Sequence, residues 1–215
     1  MKKIIATMII AALCATSWAY RIDSQMYDFQ DEDGNVMGDN GSFAILLGKS
    51  GVDFSDFALE NGDSFVKGEW FNSDIDTGIY VMDVGSIVDS MAESTIFVNF
   101  EDYSSKGFAG GEEIAVIAFD TEASSYTVNV VAGDKYNVFT PSMNGGNTGD
   151  TTDPWKLYTA GDAYNFVMMT ANQGGTLPDS YARLSQTVSA VPEPSSYAAV
   201  FGVLALAFAA YSRRK

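Results

Sequence analysis

The chain has 215 residues, with 28 Asp and Glu against 12 Lys and Arg, no His and one Cys. A formal net charge of −16 argues against a nucleic-acid partner, because phosphate binding needs a basic patch that releases counterions. The lack of His excludes Ser-His-Asp triads, Cys-His pairs and His-based metal sites. The acid is also concentrated. Outside residues 20–190 the only acid is Glu193 and the only bases are Lys2, Lys3, Arg213, Arg214 and Lys215, so that segment keeps 27 acids and 7 bases, a net of −20. Its length suffices for one domain with its own core.

At the start, Met1-Lys2-Lys3 is basic, residues 4–14 are apolar, and Ser17-Trp18-Ala19 supplies small residues three and one positions before a cleavage point. This is the layout of a secretory signal peptide over 1–19, cut by signal peptidase between Ala19 and Tyr20. The cut discards Cys14, so the exported protein has no disulfide and depends on a packed core. Leu13 ahead of Cys14 disfavours a lipoprotein, which needs a small residue there.

Short apolar or alternating runs bounded by turn residues predict strands over 24–29, 42–47, 64–71, 77–84, 95–100, 113–119, 125–131, 135–140, 163–170 and 181–188. Ala132-Gly133-Asp134 predicts a hairpin. Residues 53–60 and 86–93 each read as one or two helical turns, 141–154 as a loop inside the domain, and 185–190 as a linker. Residues 20–190 are thus expected to be all-β, an antiparallel β-sandwich or jelly-roll-like domain with one or two short helices.

Chemistry is sparse in this segment. The densest acidic cluster is Asp28, Asp31, Glu32, Asp33 and Asp39. Asp31-x-Asp33-Gly34 carries a fragment of a calcium loop, but Phe29 stands where an earlier ligand belongs and no Glu closes the loop. Asp31 and Asp33 are therefore weak candidates for Ca²⁺, and no other cofactor is indicated. Asp74 with Asp76, and Glu112 with Glu113, could form the carboxylate pair of a glycosidase; pairs of this kind arise by chance in so acidic a chain. No Gly-x-Ser-x-Gly occurs, Gly48-Lys49-Ser50-Gly51 lacks the strand-elbow-helix setting, and the Gly145-Gly146 loop has no Lys to hold phosphate. No catalytic residue is assigned. Trp70, Trp155, Tyr158 and Tyr164 are candidates to stack on sugar rings, weighed against burial in the core.

At the other end, Val191-Pro192-Glu193-Pro194 precedes an uncharged run over 195–212 and then Arg213-Arg214-Lys215. Eighteen residues at ~1.5 Å rise span ~27 Å, enough for a transmembrane helix across a core of ~30 Å. The basic cluster acts as a stop-transfer signal that stays cytoplasmic, which leaves 20–190 on the far side of the inner membrane.

These three elements, in this order at the C-terminus behind a signal peptide, closely resemble the PEP-CTERM sorting signal of Gram-negative bacteria. The same tail is sometimes labelled an ice-binding protein C-terminal domain, and ice binding does not follow from it. The resemblance covers about 25 residues, 191–215. It implies that Pro192, Glu193 and Pro194 are read by an exosortase, a membrane cysteine protease-transpeptidase, and that the span need not persist in the mature protein. The expected protein is non-enzymatic, first held periplasmic by its tail and then passed to the cell surface or extracellular matrix. The alternative is a carbohydrate-binding β-sandwich that contacts exopolysaccharide, with Ca²⁺ as an optional ligand. A hydrolase with an unrecognised carboxylate pair is the third.

Overall fold

A computed structural model of the chain describes residues 19–26, 29–37, 39–89, 91–140, 155–158, 164–168 and 183–190, with the side chains of 19, 20, 23, 25, 26 and 164–168 outside that description. The whole predicted loop over 141–154, the whole tail over 191–215, and Asp28 also lie outside it.

The described chain is all-β and mostly antiparallel. Its strands are β1 (Ala19–Met26), β2 (Gly41–Gly48), β3 (Ser64–Val66), β4 (Ile79–Ile87), β5 (Ala92–Asn99), β6 (Ile114–Phe119), β7 (Thr127–Asn129), β8 (Lys135–Phe139), β9 (Tyr164–Met168) and β10 (Gln186–Thr187). They form a central sheet β10-β8-β6-β2-β4, a three-stranded sheet β5-β1-β9 and a two-stranded sheet β3-β7. Among the described strands only β1 and β9 pair in parallel, alongside isolated parallel bridges from Gln30 to Arg183 and from Glu60 to Ser189.

The central sheet has no wet face. Every residue of β2 and of β6 is buried. Phe43, Ile45, Leu47, Val116 and Ala118 point to one hydrophobic cluster, shared with Ile22 of β1 and Ile96 and Val98 of β5. Ala44, Leu46, Ala115, Ile117 and Phe119 point to a second cluster, shared with Phe65 of β3 and Val128 of β7. Alternation is therefore lost in the centre, where both faces are covered, and kept in β5, which buries Ala92, Ser94, Ile96 and Val98 and exposes Glu93, Thr95 and Phe97.

Three expectations need correction. The helical turns over 86–93 are the end of β4, a tight turn closed by Val88 and Met91 bonding each other's backbones at 2.8 Å, and the start of β5. Ile87, Val88, Met91 and Ala92 suit either a helix or a hairpin locally; pairing with β2 and β1 decides for strands. Phe100 does not end a strand but opens a helix, α1 (Phe100–Ser104), capped by the Asn99 side chain accepting from the Glu101 N–H. The linker over 185–190 is part of the fold. There β10 pairs with β8, Val188 is buried, and the Ser189 N–H and hydroxyl both donate to the Leu59 carbonyl.

Strand β4 is an edge, and it is bulged. Ile45 pairs with Asp83 and Leu46 with Val81, so Met82 is the extra residue. The bulge turns the buried Asp83 carboxylate toward β5, where it accepts from the Ser94 hydroxyl, while Lys67 pairs with its other oxygen at 2.6 Å. Two positions on, a Cβ at Gly85 would lie 2.7 Å from the Phe43 ring. Phe43 is fully buried and cannot retreat. Gly85→Ala should lower the unfolding free energy by about 1–3 kcal/mol with no change in denaturant slope, measured by urea titration; an unchanged midpoint would show that the layer is loosely packed.

Candidate functional site

The most distinctive side-chain assembly lies along the β4 edge. Glu69 and Gly68 extend β4 outward: the Val81 N–H donates to the Glu69 carbonyl and the Gly68 N–H to the Val81 carbonyl, both at 2.9 Å. Adjacent residues then part. Trp70 packs against the first hydrophobic cluster and Phe71 is buried in the second, so the pair straddles the edge strand. The turn that follows is left-handed at two successive non-glycine residues, Asn72 and Ser73, both with φ of 55°. Each such residue costs on the order of 1–3 kcal/mol. Side chains hold it: Asn72 accepts from the Ser64 N–H and donates to Asp63, both at 2.7 Å, and Ser73 donates to Glu69 at 3.1 Å.

Around the indole lies an aromatic group drawn from four parts of the chain. Trp70 stacks on Phe108 with centroids 5.3 Å apart and planes 16° from parallel, and meets the edge of Tyr80 at 5.6 Å. Tyr103 of α1 contacts Tyr80 at 5.8 Å. Phe108, Tyr80 and Tyr103 are buried; Trp70 is partly open to solvent. The Tyr80 hydroxyl donates to the Gly68 carbonyl at 2.8 Å, tying the ring to the Trp70 segment.

Two half-buried lysines lie over these rings. The Lys49 ammonium is 4.6 Å from the Trp70 centroid and 5.6 Å from that of Phe108. Lys106 is 5.2 Å from Tyr80 and 5.8 Å from Tyr103, and donates to the Asp102 carbonyl at 3.0 Å. Gly107 lies beside the first of them, where a Cβ would stand in ordinary contact with the Lys49 nitrogen at 3.4 Å. Among the described residues neither lysine is ion-paired, whereas Lys67 and Lys135 pair with Asp83 and Glu32.

The other candidates separate. Trp155 is only 2% exposed and lies in the core, so its ring is no surface platform. Tyr158 is half-buried against the same cluster. The Tyr164 side chain is outside the described set. At Asp31, one carboxylate oxygen accepts from the Asp33 and Asn35 N–H groups and the other from the Asn35 side-chain amide. The Asn35 bonds hold its pKa below the ordinary carboxylate value. This is an Asx turn; Asp33 enters only through its backbone, and Glu32 pairs with Lys135 at 2.6 Å. Among the described residues no three Asp, Glu or Cys side chains are grouped to hold a metal. Glu113 has its pKa raised by burial and by the Asp53 carboxylate, and Asp53 has its own lowered by Ser55. Val191, Pro192, Glu193, Pro194, Arg213, Arg214 and Lys215 lie outside the described residues. Ala19 and Tyr20, at the expected signal cleavage, begin β1 and pair with Asn99 and Val98.

Lys49, Tyr80, Tyr103, Lys106 and Phe108 escape sequence reasoning, because nothing local says that Trp70 and Phe108 meet. The run Tyr103-x-x-Lys106-Gly107-Phe108 was the only usable signal. Comparison of the chain with models of protein families, with curated proteins and with solved structures gives no match.

Tyr80 supplies a test of the local field. Burial, and then the Asp102 and Glu69 carboxylates, raise its pKa above the ordinary 10.0. A raised pKa adds stability that is full below the unfolded value and is lost as pH rises through the folded one. Phenolate absorbance should therefore show one tyrosine titrating late, absent in Tyr80→Phe, whose stability should fall less steeply above pH ~10. An unchanged absorbance profile in the variant would contradict this field.

Proposed function

We propose that the protein is a non-enzymatic exported domain, delivered to the cell surface or extracellular matrix by its C-terminal tail. The observation that carries this is the order of signals in the sequence: a basic-ended apolar leader with Ala19 at its cut, then, behind an acidic domain, Pro192-Glu193-Pro194, an uncharged span and Arg213-Arg214-Lys215. On this reading signal peptidase and an exosortase are its processing partners and the inner membrane its transient anchor. The three sheets are in this reading a sandwich-type domain that reaches from the signal cut to the sorting motif. Two local facts accord with it. Cleavage after Ala19 removes only the first paired residue of β1 and keeps Tyr20–Met26 for pairing with β5, and Ser189, bonded to Leu59, ties the chain down two residues before Val191. Replacing Pro192, Glu193 and Pro194 with alanines should abolish processing and strand the chain in the inner-membrane fraction. Wild-type processing of that variant would refute the sorting role.

A second reading, a carbohydrate-binding domain, is favoured by the Trp70 assembly. A partly open indole, followed by a strained turn that carries Asn72 and Ser73, offers an apolar face for a sugar, with polar side chains close by in the chain for its hydroxyls. On this reading Trp70 is the contact, and calcium is not required.

A further inference from the structure

The rings at the β4 edge are already occupied by ammonium groups. Lys49 sits 4.6 Å from the Trp70 centroid and Lys106 5.2 Å from that of Tyr80, both without a carboxylate partner among the described residues, in a segment with 27 acids to 7 bases. Surface lysines in so acidic a domain have many carboxylates to choose from. That these two lie on aromatic faces shows what the faces attract: a ring quadrupole is negative above its plane and draws a cation to within about 6 Å. The neighbouring charges act in the same direction. Glu69 and Asp102 flank the group, and both carboxylates act on the Tyr80 phenol. The summed field of a segment at −20 adds to them at short range and is screened beyond ~8 Å in physiological salt.

Once the two lysines swing aside, the Glu69 and Asp102 carboxylates and the acidic segment around them disfavour an anionic sugar, and a neutral one would leave that field unused. We propose that the Trp70–Phe108 stack binds a glycan bearing free amino groups, whose ammonium takes the place now held by Lys49 while its ring lies on the open part of the indole. This rests on the reading of Trp70 as a sugar contact and assigns the sugar class. Lys49 and Lys106 are then flexible covers: each is half-buried on a four-carbon stem and can swing to solvent without breaking an ion pair. Beside the first, Gly107 holds a backbone at φ +87° that any other side chain would strain.

The sign of one mutation separates this proposal from general attraction. The full-length protein, in detergent, is titrated by calorimetry with a glucosamine tetramer at slightly acidic pH, with the N-acetylated tetramer and spermidine as comparators. Glucosamine tetramer should bind, weaken with added salt, and weaken about tenfold in Trp70→Ala. Trp70→Phe, which keeps a ring, should retain most of the affinity and shows whether the loss reflects contact or misfolding. Lys49→Gln should bind the tetramer several-fold more tightly, because the resident cation is gone. Weaker binding in Lys49→Gln would overturn the proposal. Equal binding of the N-acetylated tetramer, still lost in Trp70→Ala, would overturn the amino-group assignment and leave the carbohydrate reading intact. Binding of neither tetramer would remove both. Spermidine displacing the tetramer at equal charge, with Trp70→Ala binding unchanged, would show attraction to the acidic surface alone and overturn the site.

Discussion

A sheet buried on both faces is the constraint on which the rest of this structure depends. With every side chain of β2 and β6 out of solvent, neither outer layer is optional: removing the β1-β5 layer would expose Phe43, Ile45, Leu47 and Val116, and removing the β3-β7 layer would expose Leu46, Ile117 and Phe119. Each such side chain is worth about 1.5–3 kcal/mol of burial. A chain that loses its only cysteine on export, as we read it, has no covalent substitute for that core. The same arrangement sends the acids outward, where carboxylates stay hydrated and their repulsion is screened. Among the described residues Asp83 is the buried acid, at the β4 bulge and held by Ser94 from one outer layer and Lys67 from beside the other.

The edge of that sheet is where a site can form. Central strands have no surface to offer, whereas β4 has a free side on which residues 68–71 lie down, sending Trp70 to one hydrophobic cluster and Phe71 to the other. The left-handed Asn72 and Ser73 follow directly on this placement, and Asn72 ties the turn to Ser64 and Asp63. Strain, a partly exposed tryptophan and unpaired cations at one point of an acidic domain distinguish it from the remaining surface. The exposed Phe97 stands singly. Tyr126 also lies in a left-handed pair with Ser125 and has Lys67 5.1 Å from its ring centroid, but that lysine is paired with Asp83.

How much of this the sequence discloses follows from range. Val-, Ile- and Phe-rich runs such as 113–119 and 135–140 mark strands to within a residue, because burial and β-propensity agree there. Residues 86–93 mislead, since their apolar spacing suits a helix and a hairpin alike and only pairing with β2 and β1 decides. The polar run over 185–190 reads as a linker because its ties, Ser189 to Leu59 and Val188 to Asp134, join residues far apart in the chain. Of the candidate site, Trp70 was legible as an aromatic amid polar residues. Its partner Phe108 was not, and Trp155 has a similar local context yet lies in the core. Aromatic residues announce themselves in sequence; which of them meet, and which reach solvent, is fixed by tertiary packing alone.

Native-state hydrogen exchange tests the central constraint most directly. If the doubly covered sheet holds the domain together, amides of β2 and β6 exchange only by global unfolding, while β5 and the β3-β7 pair open at lower free energy. Exchange of β2 or β6 before the outer strands would contradict the account.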